Sequence, residues 1–270
     1  MEGALPTFVT IGAQKCGTTA LHSYLAKHPD VSMSRPKELD FFVEGRAWEN
    51  GVDWYRAHFD AAATARGESS PNYTAYPRLT GVPERMAGLI PDAKLIFMVR
   101  DPIKRIRSNW IHTYSNRRES RPMREAVLDE SRLSYIARSR YHQQLMLFLE
   151  HYPLERVLIL EQDELFEDRR GTLQRVFRFI GVRDDFWRQS FNNPKLETST
   201  RWRRTKLGAY AAEKLPFKTW RKLRNRRPFA YPFEQPQMDP ETHAELAARL
   251  ADDIAAFREL TGRKFENWSV

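Results

Sequence analysis

Residues 8–30 constrain this chain more than any other stretch. Phe8-Val9-Thr10-Ile11 is an apolar, β-branched run that stops at Gly12. From Thr18 to Lys27 the apolar residues fall at Ala20, Leu21, Tyr24 and Leu25, the spacing of one helix face, and Pro29-Asp30 ends the pattern. Between strand and helix lies Gly12-Ala13-Gln14-Lys15-Cys16-Gly17, with a glycine at each end. A strand, a tight glycine loop and a helix start present backbone N–H groups to an anion, phosphate above all. Thr18 and Thr19 add hydroxyl donors at the helix start. A loop that needs glycine only for packing is the plainer alternative.

The same unit recurs. Lys94–Val99 is a nearly continuous apolar run, as a buried parallel strand requires, and Arg100-Asp101-Pro102 opens a helix through Ile103, Ile106 and Trp110. A third strand is expected at Arg156–Leu160 after a helix at Tyr141–Tyr152. Further helices are expected at Arg169–Ile180, capped by Gly181, and from Asp239-Pro240 with Leu246, Leu250, Ile254 and Phe257 on one face. Strands alternating with helices predict an α/β fold, a P-loop-like central parallel sheet flanked by helices on both faces. Ligands of such folds sit at the C-terminal ends of strands. The two ends with unusual chemistry are Ile11/Gly12 and Val99/Arg100. Ser34–Tyr76 reads as irregular, and 192–227 as a basic, mobile loop followed by a helix. Residues 1–270 are expected to form one domain.

A formal charge of +9 suggests an anionic partner (nucleic acid, membrane surface, nucleotide or acidic polysaccharide), with a simply soluble basic protein as the plainer alternative. Charge alone does not choose among them. Cys16 is the one cysteine, which excludes an intrachain disulfide and a cysteine zinc site and fits a reducing compartment. The first residues carry no leader pattern, and no apolar run approaches the roughly 18 residues of a membrane helix. A cytoplasmic, bacterial location is therefore expected, compatible also with a truncated form of a membrane-anchored protein.

The glycine loop separates two kinds of phosphate site. The nucleoside-triphosphate version places Lys directly after the second glycine. Here Thr18 occupies that place and the lysine lies within the loop at Lys15. Thr10–Leu21 instead resembles the 5′-phosphosulfate loop of sulfotransferases that use 3′-phosphoadenosine 5′-phosphosulfate (PAPS), closest to the heparan-sulfate and bacterial carbohydrate branch. His28-Pro29-Asp30-Val31, Lys37-Glu38-Leu39-Asp40-Phe41-Phe42, Gly51–Tyr55 and a terminal Leu260–Trp268 pattern share the resemblance.

The resemblance implies PAPS as donor and adenosine 3′,5′-bisphosphate as product, with no metal required. It implies a donor loop of Gly12, Gln14, Lys15, Cys16, Gly17, Thr18 and Thr19, with Lys15 stabilising the leaving phosphate. An Arg at the second strand end and a Ser eight residues later, here Arg100 and Ser108, would hold the 3′-phosphate, and the planar guanidinium suits that task. Arg201 and Arg204 lie where relatives close a loop over the nucleotide, and Trp202 there could stack on a base. The acceptor, a hydroxyl or amine of a carbohydrate or small molecule, needs a base, which the resemblance places at Glu38. Asp40 would point with Glu38 on an extended segment, and His28 and His112 are alternative bases.

One departure stands out. Animal relatives often carry Lys after Glu in a Gly-x-Glu-Lys-x-Pro-x-Tyr pattern, whereas this chain has Ser69 there, in Gly67-Glu68-Ser69-Ser70-Pro71-Asn72-Tyr73. Any role of that lysine toward the acceptor does not carry over. Two other classes stay open: a P-loop nucleotide kinase or NTPase, for which Leu158–Glu161 would supply the metal-binding strand end, and a non-enzymatic basic protein that binds polyanions. Nucleic acid is not expected as a partner, and the oligomeric state is left open.

Overall fold

The computed structural model describes residues 3–132, 135–192 and 201–270. Five parallel strands form the centre: β1 (Phe8–Gly12), β2 (Val31–Met33), β3 (Ala65–Ser69), β4 (Lys94–Val99) and β5 (Val157–Glu161), in spatial order β2-β3-β1-β4-β5. β1 and β4 lie inside the sheet, each paired along both edges. Every residue of β1 is buried, as are Leu95–Val99 of β4, and this is why both read as unbroken apolar runs. From β1 the chain crosses to the edge strand β2, comes back through β3 beside β1, and then passes to β4 on the other side of β1. The strand ends at that reversal, Gly12 and Val99, flank the crevice where such sheets bind ligands.

Helices surround the sheet: α1 (Thr18–Leu25), α2 (Gly51–Arg56), α3 (Val82–Leu89), α4 (Pro102–Ser115), α5 (Met123–Leu128), α6 (Tyr141–Leu149), α7 (Gln162–Glu167) and α8 (Arg169–Ile180). Beyond them come α9 (Lys206–Lys214), α10 (Phe217–Leu223) and α11 (Pro240–Thr261). Local chemistry sets several boundaries. Asp101 caps α4, its Oδ1 accepting from the Lys104 N–H at 2.8 Å, with Pro102 in the first turn. Gly181 ends α8 in the left-handed region at φ 82°. Asp239 caps α11, whose Leu246, Leu250, Ile254 and Phe257 are buried.

Three expectations are corrected. The stretch read as irregular, 34–76, contains β3, whose Ala-Arg-Gly-Glu-Ser has no β-branched residue. β3 is a strand because it is sandwiched between β1 and β2, and Gly67 is there because a Cβ would lie 2.2 Å from the Phe8 ring. The three-residue β2 on the sheet edge also went unread. α6 stops at Leu149, short of Tyr152. In the basic stretch, residues 193–200 lie outside the described residues. The rest is not a loop and one helix but β6 (Arg201–Arg204), α9, α10 and β7 (Ala230–Phe233), the two strands paired antiparallel.

Candidate active site

The loop after β1 is shaped by close packing. A Cβ at Gly12 would stand 1.9 Å from Thr74 Oγ1, so the chain passes Thr74 only as glycine. The Ala13 N–H donates to the Met98 carbonyl (2.6 Å) and the Cys16 N–H to Ala13 (3.2 Å), which fold the loop onto the end of β4. Lys15 (φ 75°) and Gly17 (φ 90°) both adopt left-handed backbone. The Cys16 thiol is buried 3.6 Å from the Tyr141 hydroxyl, and burial pushes its pKa up. Gly12 and Cys16 thus shape the loop, while Gln14, Lys15, Gly17, Thr18 and Thr19 line a cleft of about 490 Å³.

Arg100, Ser108, His112 and Arg201 line the same cleft, with Glu38, Pro71, Gln162 and Phe166. The residues read from four separate stretches of sequence therefore meet in one place. Ser108 and His112 stand one turn apart on α4. Beneath them Arg105 is fully buried, donating to the Gln14 carbonyl (3.3 Å), Ser139 Oγ (2.5 Å) and the Tyr135 carbonyl (2.5 Å). None of these three is a carboxylate. Glu38 is the one carboxylate among the described lining residues.

This excess of positive charge leaves its mark on titration. Burial, then Arg201 and Arg100, lower the Lys15 ammonium to about 8. Burial, then Lys15, Arg118, Arg201 and Arg204, lower His112 to about 4, which makes it a weak base. The Arg201 Nε is buried without a hydrogen-bond partner among the described residues. Crowded cations with an unsatisfied donor fit a polyanionic ligand, whose phosphates would relieve both costs.

Around Glu38 the backbone departs from the extended form. Asp40 is left-handed (φ 50°), so it does not point with Glu38. Its carboxylate pairs with Arg46 and accepts from Asn72 Nδ2 at 2.9 Å, and Asp40 is not among the residues lining the cleft. Glu38, with its side chain 49% exposed, takes a 2.7 Å ion pair from Lys37, whose Nζ also lies 3.4 Å from Thr18 Oγ1. Glu68 is buried and accepts from Tyr55 (2.6 Å), Tyr73 (2.7 Å) and Ser70 (2.6 Å), a structural knot beneath this segment. Burial raises its pKa. Ser69, at the place of the relatives' lysine, is buried against His22 Nδ1 at 3.1 Å. His28 is no base for this cleft: it is buried between the Phe177 and Phe186 rings and bonds the Arg183 carbonyl at 3.0 Å.

Gln162 and Phe166 went unread. They follow β5, and the strand-end rule that singled out Gly12 and Arg100 would have singled them out too. Glu161, the residue a metal-dependent nucleotide enzyme would use there, instead accepts from Trp268 Nε1 at 2.5 Å and caps α7. Arg204 lies not in the main cleft but in an adjoining one of about 330 Å³ with Trp202 and Arg224; His112 and Arg201 border both.

A sequence family, the sulfotransferase domain, matches residues 5–248. Heparan sulfate glucosamine 3-O-sulfotransferase 3B1 of Mus musculus is 33% identical over 187 residues, covering 66% of this chain and 47% of that protein. Bifunctional heparan sulfate N-deacetylase/N-sulfotransferase 1 of Caenorhabditis elegans is 31% identical over 177 residues, 60% of this chain and 20% of that protein. The chain thus spans between a fifth and about half of these relatives. Among solved structures, a sulfotransferase from Alicyclobacillus acidocaldarius superposes with a TM-score of 0.73 at 26% identity, over 99% of this chain and 100% of that one.

Proposed function

Given that this chain belongs to the sulfotransferase domain family, we propose that it moves a sulfuryl group from PAPS to a hydroxyl or amine of a carbohydrate, acting as one domain in the cytoplasm. The observation that carries this reading is the convergence of Lys15, Arg100, Ser108 and Arg201 on one cleft whose single described carboxylate is Glu38.

Bound PAPS supplies a sulfuryl group on a good leaving group, the 5′-phosphate of adenosine 3′,5′-bisphosphate. Lys15 and the hydroxyls of Thr18 and Thr19 stabilise the charge that grows on that phosphate as its bond to sulfur breaks. Arg100 and Ser108 bind the 3′-phosphate and so distinguish this donor from ordinary nucleotides. Arg201 closes the cleft from β6, and the adjoining cleft with Trp202 and Arg204 receives the rest of the nucleotide. Glu38 takes the proton of the acceptor as its oxygen or nitrogen bonds to sulfur. Lys37 holds Glu38 in place and ties it to Thr18, so acceptor and donor sides share one positioning link.

The heparan sulfate enzymes among the relatives support a carbohydrate acceptor. The test is incubation with sulfur-labelled PAPS and a panel of glycans, lipids and small hydroxyl compounds. Labelled glycan, formed together with adenosine 3′,5′-bisphosphate and lost in Lys15→Ala and Glu38→Gln, is the expected result. Label that passes only to non-carbohydrate acceptors overturns the acceptor class. Magnesium-dependent ATP hydrolysis without PAPS turnover overturns the donor.

A further inference from the structure

The positive charge of this protein is not spread over it. Residues 201–227 hold eleven Lys and Arg against one acid, Glu213, a net +10, whereas the whole chain carries +9. Everything outside these 27 residues therefore sums to −1. Three of the eleven, Arg201, Arg203 and Arg204, are half-buried on β6 and turn toward the clefts and Tyr114. The other eight, Lys206, Lys214, Lys218, Arg221, Lys222, Arg224, Arg226 and Arg227, are all exposed.

The same module gathers exposed apolar side chains. Of the five large hydrophobic residues exposed among the described residues, two lie here, Leu207 (49%) and Tyr210 (62%), and a third, Tyr231, lies on the strand paired with β6. Their direction is fixed by packing. α9 lies so close to the neighbouring chain that a Cβ at Gly208 would stand 1.8 Å from the Phe229 carbonyl, and Gly208 and Ala211 form its buried side. Leu207 and Tyr210, three apart, therefore share an outward side, with Lys206 and Lys214 beside them. α10 is held by Trp220, buried under the Arg204 guanidinium at 5.1 Å, which leaves Lys218, Arg221 and Lys222 exposed.

From this pairing of concentrated exposed cations with outward Leu207 and Tyr210, we infer that α9–α10 is a docking face for an anionic lipid bilayer. A basic surface alone would suit any polyanion. A leucine and a tyrosine one turn apart, flanked by lysines, suit the boundary between headgroups and acyl chains and offer a hydrophilic polymer little. Among the described residues no helix is long and apolar enough to cross a membrane, so this attachment would be peripheral and reversible. The inference does not rest on the assignment of the cleft.

The test is co-sedimentation of the full chain with vesicles of phosphatidylcholine, alone or doped with phosphatidylglycerol, at several salt concentrations. The wild type should bind the doped vesicles, release them at high salt and ignore pure phosphatidylcholine. Lys218→Glu/Arg221→Glu/Lys222→Glu should weaken binding by about a hundredfold or more, and Leu207→Ser/Tyr210→Ser by about tenfold. Both variants should keep the wild-type urea unfolding midpoint and far-ultraviolet circular dichroism, which shows that they fold. Absence of vesicle binding by the wild type overturns the inference. So does binding that the Leu207/Tyr210 variant leaves intact while heparin retention falls with the charge reversal, which would mark a polyanion face instead.

Discussion

Lys15 is where the account is most exposed to test at the scale of single residues. A unit charge about 4 Å from a phosphate oxygen is worth about 4 kcal/mol at an effective dielectric of 20. Lys15→Ala should therefore lower kcat by about a thousandfold, read in a PAPS turnover assay. Its titration makes a second prediction. With its free pKa lowered to about 8 and a bound polyanion raising it, Lys15 is charged in both states below pH 8. Affinity for adenosine 3′,5′-bisphosphate should be level there and fall as pH rises beyond 8, because binding must then take up a proton. In Lys15→Arg the guanidinium stays charged and this fall should vanish. At Glu38 and Asp40 the expected outcomes separate: Glu38→Gln should abolish transfer with donor affinity retained, and Asp40→Asn should keep most turnover. The residues that meet in this cleft were largely legible because the phosphate recognition proposed for them has narrow chemistry: glycine, lysine, arginine, and serine at fixed offsets from strand ends. What stayed hidden was whatever depends on where a side chain turns. The left-handed φ of Asp40, the burial of His28 between two rings and the cation-crowded His112 leave no trace in residue type.

Elements were readable in proportion to how far their own residues dictate them. β1, β4, α4, α8 and α11 carry periodicity and caps, and the structure reproduces them within one residue at most ends. β3 carries neither; its strand state is imposed by β1 and β2 on either side. The loop after β1 is a similar case, since its first glycine answers to Thr74, far away in sequence. Gly12→Ala should cost about 1–3 kcal/mol in urea unfolding, by overpacking against Thr74. In a Thr74→Ala background the added cost should be smaller, and simple additivity of the two changes would refute the contact.

On the scale of the whole molecule, the C-terminal tail returns to the strand ends that build the cleft. Trp268 stacks on Phe265 at 4.2 Å and donates to Glu161 at the end of β5, while the Ser269 N–H donates to Asp101 Oδ2 at 2.7 Å, directly after Arg100. Trp268→Ala should cost about 3–5 kcal/mol in urea unfolding and weaken nucleotide binding through the Arg100 junction. An unchanged unfolding midpoint would show that the tail merely rests there. The central claim is that this assembled cleft reads a nucleotide by its 3′-phosphate. Calorimetric titration with adenosine 3′,5′-bisphosphate and with AMP tests it most directly. The bisphosphate should bind about a hundredfold more tightly, near 2.7 kcal/mol for charge-assisted bonds from Arg100 and Ser108, and Arg100→Ala/Ser108→Ala should erase the difference. Equal affinity for the two nucleotides in the wild-type protein would contradict the claim.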